Sequence, residues 1–142
     1  MRSNQDIESF IKEFEARTLD KTLWTHEAHL VVAIWYASTY GFETALQLVR
    51  ENIRLYNEAV GGRNTDTEGY HESITRFWLL VASDFIKNHR SQSIAVVCED
   101  FIASDKAHRN YPLRFYSKER LFSVEARKTW VAPDLKEVPT LV

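Results

Sequence analysis

The apolar residues of this 142-residue chain recur every three or four positions in one segment after another, and only four glycines and three prolines interrupt them. That is the repeat of an α-helix with one buried face, and no segment shows the strict alternation of a half-buried strand. The expected fold is all-α: a bundle of about five main helices with a C-terminal tail of short helices packed on it, forming a single helical domain over residues 1–142. The stretch Leu30 to Ala37, LVVAIWYA, is apolar all round and so belongs at the bundle centre. It is far shorter than the roughly 20 residues a bilayer crossing needs.

Local signals place the boundaries. A first helix is expected from about Asn4 to Arg17, with Ser3 as its cap and Ile7, Phe10, Ile11 and Phe14 inward. A second begins after Thr25 and ends near Tyr40, with Gly41 taking the left-handed position. The third runs from about Glu43 to Val60, with Leu46, Val49, Ile53 and Tyr56 inward. The fourth covers about Glu68 to Asn88, and the fifth about Ser93 to Ser104. From Arg109 to Asp134, Pro112 and Pro133 act as breakers, and Ser117 and Ser123 can cap short helices.

Eighteen Lys and Arg against twenty Asp and Glu leave a net charge of −2, so no global field favours nucleic acid or an anionic membrane. The one cysteine, Cys98, allows neither an internal disulfide nor a cysteine-built zinc site; its place on the apolar face of the fifth helix reads as core filling. The opening MRSNQDIESF lacks the apolar core of a signal peptide. A cytoplasmic protein is expected.

The histidines carry the functional expectation. Short connections favour antiparallel neighbours, so the second and fourth helices should start at the same pole, where the third ends. That pole receives His26 and His29, His71, the residues Tyr56, Asn57 and Glu58, and Asp105 with His108 after the fifth helix. His26 and His29 are three apart and share a helical face. With His71 they make a nitrogen-rich set of the kind that holds zinc, iron, nickel or copper, and Glu27, Glu68 or Glu72 could be a fourth ligand or base. The plainer alternative is that each ring is a polar surface residue or a hydrogen-bonded core histidine. Helix starts also carry partial positive charge, which opposes a cation, keeps imidazoles neutral and attracts anions. His89 lies at the far pole, outside this group.

Arg63 and Arg114 offer planar two-pronged donors for a substrate carboxylate or phosphate, with a surface salt bridge as the alternative. Tyr56 and Tyr70 could supply a phenol for proton transfer, or simply fill the core. The loop 61–69 has the composition of a mobile lid or of a plain connection. The basic and aromatic tail 109–134 could stack single-stranded nucleic acid, but Glu119 and Glu125 disfavour it. No Walker loop, dinucleotide fingerprint or serine elbow is present.

The strings WTHEAHL (24–30), GYHES (69–73) and YPLRFYS (111–117), with the pattern LFS-EAR-W-PDL ending at Leu135, resemble a family of small bacterial helical proteins. The resemblance covers about the last four-fifths of the chain and implies a single-domain member, with no activity or catalytic residues attached. A looser likeness to metal-binding helical bundles of the DinB type rests on three histidines gathered at one pole, with different helix spacings.

Three functions follow. The first is a metal-dependent enzyme (hydrolase, lyase or isomerase, or oxygenase if the metal is iron or copper) acting on a small acidic molecule. In it His26, His29 and His71 hold the metal, Glu72, Glu27 and Tyr70 are catalytic, and Arg114, Arg63, Tyr56 and Asn57 bind substrate. The second is a metal-free module binding a small anion. The third is an interaction domain that binds protein or single-stranded nucleic acid through its tail. The partners expected are a small anionic molecule and no membrane; a homodimer is left open.

Overall fold

The computed structural model describes residues 3–140, and among them every regular element is helical. Five helices form the body: α1 Asn4–Ala16, α2 His26–Thr39, α3 Phe42–Ala59, α4 Glu72–Lys87 and α5 Ile94–Ala103. Their starts are where capping side chains stand. Ser3 and Asp6 close a capping box on α1, and Thr25 and Ser93 accept from the first-turn amides of α2 and α5.

The apolar-all-round helix takes the centre. α2 buries Leu30, Val31, Val32, Ala33, Ile34 and Tyr36 and touches α3, α4 and α5. The inward stripes read from sequence are buried: Ile7, Phe10, Ile11 and Phe14 on α1, and Leu46, Val49, Ile53 and Tyr56 on α3. Cys98 is buried on α5, and its desolvated thiol is pushed up to about 12, which makes it inert as a nucleophile.

Two boundaries depart from expectation for backbone reasons. Gly41, at φ 75 and ψ 163, lies outside the left-handed helical well and serves as the cap of α3 itself, so only Tyr40 and Gly41 stand between α2 and α3. α4 begins at Glu72 rather than near Glu68, because His71 occupies the cap position and Gly69 turns the chain at φ 82.

Beyond α5 the chain forms helical turns at Asp105–Ala107 and Tyr111–Arg114, then α6 Lys118–Leu121 and α7 Val124–Lys128. Ser117 and Ser123 cap α6 and α7, as their positions suggest. The tail covers its own chain. Ser73 of α4 donates to Thr129 O at 2.8 Å and accepts from Val131 N at 3.1 Å, while the buried Tyr116 hydroxyl donates to Val131 O at 2.6 Å. Among the described residues no helix is long and apolar enough to cross a membrane.

Candidate functional site

The start of α2, the end of α3 and the start of α4 do share a pole, and the tail closes over it. Between them lies a cleft of about 550 Å³. Trp24, Ile53, Val60, Ile74 and Phe122 form its apolar lining. His29, Asn57, Tyr70 and His71 add polar groups, and Lys21, Arg63 and Arg127 stand against the single carboxylate of Glu68. Six of the residues singled out in the sequence meet here: His29, Asn57, Arg63, Glu68, Tyr70 and His71.

The imidazoles are nevertheless spent differently from a metal set. His71 accepts from Ile74 N at Nδ1, 3.1 Å, and donates from Nε2 to Leu121 O, 2.8 Å, so both nitrogens are occupied by backbone. His26 turns to the other side, where its Nε2 bonds Ala107 O at 2.8 Å and its ring meets Trp78 edge-on. His29 donates from Nδ1 to Thr25 O at 2.7 Å and lies tilted by 36° against Trp24 with centroids 3.9 Å apart. Among the described residues no group of three or more His, Cys, Asp or Glu side chains is arranged to hold an ion. The three rings therefore do not fit a common metal.

Burial lowers the pKa of His29, with the bond to Thr25 only partly opposing it, and lowers that of His71 against the bond to Leu121. In both rings burial favours the neutral form. In His29 the Nδ1 proton fixes the tautomer and leaves Nε2 as an acceptor on the cleft wall, with no hydrogen-bond partner among the described residues.

Glu72, expected as ligand or base, is locked. Arg50 grips it fork to fork, Nε to Oε1 at 2.8 Å and Nη2 to Oε2 at 2.7 Å, and the Tyr70 hydroxyl donates to Oε1 at 2.8 Å. Burial alone would raise its pKa, but these donors outweigh burial and hold the carboxyl below its ordinary range. Desolvation and the adjoining Glu72 carboxylate push Tyr70 well above the usual phenol range. The carboxylate form of Glu72 and the neutral form of Tyr70 are thereby favoured, each engaged with the other and Glu72 also with Arg50.

The loop before α4 is tied down rather than built as a lid. Asn64 Oδ1 accepts from Asn57 Nδ2 and from Tyr70 N, both at 3.0 Å, and Asn64 Nδ2 donates to Arg54 O and Glu58 Oε2 at 3.0 and 3.2 Å. A Cβ at Gly69 would lie 2.0 Å from Arg63 O, so the turn closes on itself where only glycine fits.

The remaining expected residues lie elsewhere. Glu27 borders a separate hollow with Asp6, Glu13 and Leu23. Arg114 pairs with Asp105 at 3.2 Å on the exposed surface, and His108 caps its own turn by accepting from Asn110 N. Tyr56 is buried and donates to Leu19 O at 2.8 Å, filling the core beneath Trp24. Sequence reasoning passed over Arg50, Arg54, Phe122 and Arg127. A signal was present for two of them: Arg50, Arg54 and Asn57 are four and three apart on one stripe of α3, whose end at Asn57 lines this cleft while Arg50 and Arg54 border a neighbouring one.

No family model, curated protein or solved structure matches the chain.

Proposed function

We propose that the chain is a metal-free binding module for a small anion with an apolar body, seated in the cleft between the starts of α2 and α4. The observation that supports this is the make-up of that cleft. Lys21, Arg63 and Arg127 face one carboxylate, His29 in its neutral form offers an Nε2 acceptor, and Trp24, Ile53, Ile74 and Phe122 supply an apolar wall. Such a mixture of one apolar surface and a few convergent polar groups suits a carboxylate on an aromatic or aliphatic frame. Binding is favoured over catalysis because Glu72 and Tyr70 satisfy each other and Arg50. The metal-dependent enzyme draws no support from His71, whose two nitrogens are both engaged. The buried thiol of Cys98 suits a reducing, cytoplasmic setting.

The test is thermal unfolding of untagged protein in excess chelator with phenylacetate as the probe, beside acetate. Phenylacetate should raise Tm saturably and Arg63→Gln should abolish the rise. An unchanged Tm, or metal retained stoichiometrically and lost in His29→Ala, would overturn the reading.

A further inference from the structure

Arg127 and Tyr70 also border a second cleft, of about 490 Å³, that shares no other lining residue with the first. Its charge is unbalanced in a specific way. Arg50 is consumed by Glu72. Lys128 is only loosely held, Nζ lying 3.7 Å from Asp66 Oδ1 with both side chains well exposed. Arg54 lies over the Tyr70 ring, 5.9 Å from its centroid, and Arg127 spends one nitrogen on Gly69 O at 2.8 Å. Among the described residues neither of these guanidiniums has a carboxylate within ion-pair distance. Thr65 accepts from Thr67 N and Glu68 N, which leaves its hydroxyl proton to donate.

We propose that this second cleft is a phosphate site that takes the terminal phosphate of a small phosphomonoester, with Arg54, Arg127 and Lys128 as its cationic contacts. A carboxylate is satisfied by one guanidinium fork. Two forks, an ammonium and a hydroxyl donor around one hollow match the charge and the three terminal oxygens of a phosphate dianion. The hollow is larger than inorganic phosphate alone, and Tyr70 and Trp130 on its wall give the ester group an aromatic surface. The assignment does not rest on the anion-binding role of the first cleft.

The experiment is calorimetric titration of the full chain with inorganic phosphate and with phenyl phosphate at fixed ionic strength. Saturable one-to-one binding of inorganic phosphate is expected, weakened about tenfold or more in Arg54→Gln and in Lys128→Gln and unchanged in Arg63→Gln; phenyl phosphate, which the first cleft would also take, is titrated in the Arg63→Gln background and should bind one-to-one there. All three substituted positions are exposed, and far-ultraviolet circular dichroism checks the fold of each variant. Absence of saturable phosphate binding, equal affinity in Arg54→Gln, or exclusion of phenyl phosphate would overturn the assignment. Loss on Arg63→Gln with Arg54→Gln unaffected would place phosphate in the first cleft and equally overturn it.

Discussion

The backbone N–H of Tyr70 donates to the side-chain Oδ1 of Asn64 at 3.0 Å, which closes the loop between α3 and α4 upon itself. The same oxygen takes Asn57, and the Asn64 amide nitrogen returns to Arg54 O and Glu58. One side chain thereby sets where Tyr70 stands between the two clefts.

Removing that side chain deprives the Tyr70 N–H and the Asn57 side-chain amide of the acceptor they share. Asn64→Ala should lower stability by about 2 kcal/mol in urea denaturation. Amide exchange should accelerate across residues 61–71 and leave α2 unchanged. Gly69→Ala should cost at least as much, since its Cβ would collide with Arg63 O at a positive φ. Equal exchange rates in wild type and Asn64→Ala would show that the loop is held by something else.

The Arg50–Glu72 pair makes stability depend on acid. The folded carboxyl is held below the ordinary glutamate value of 4.5, so the unfolded chain takes up its proton first as pH falls. Its contribution is complete above 4.5 and is lost as pH drops through the depressed folded value. Glu72→Gln should cost about 2 kcal/mol at pH 7, less than a fully buried pair because Arg50 reaches solvent. The variant should also flatten the acid limb of a Tm-versus-pH curve; an unchanged limb would refute the linkage.

His71 adds a second, milder acid sensitivity. Burial lowers its folded pKa below 6.5, and protonation at Nδ1 would displace the Ile74 amide from its acceptor. Its contribution is whole above 6.5 and fades as pH falls from there through the folded value. His71→Asn, which retains a capping acceptor, should remove that part of the pH dependence while keeping α4. Its loss of the bond to Leu121 O should cost about 1 kcal/mol. Ring-proton shifts in nuclear magnetic resonance report the titration directly, and an ordinary or raised value would contradict the mechanism.

Much of the fold is legible in the sequence because its signals are local. Ser3, Thr25, Ser93, Ser117 and Ser123 each accept from an amide three residues on. The start of α4 was not legible, since Asn64 and Gly69 hold residues 64–70 out of a helix through contacts across the loop. Topology correctly brings His29 and His71 to one cleft, but it cannot tell what each nitrogen already holds. The spacing of His26 and His29 left the two rings free to serve different neighbours, Ala107 and Thr25. Arg127 escaped because its partner, Gly69 O, is 58 residues away in sequence.

The tail's anchorage to the first turn of α4 imposes an order of assembly. Phe122, Arg127, Lys128 and Trp130 line the two hollows, yet they emerge from the ribosome after every helix of the body. A nascent chain can therefore bury most of its core while its recognition face is still unfinished. In the finished fold the Val131 amide donates to Ser73, tying that last stretch to the first turn of α4.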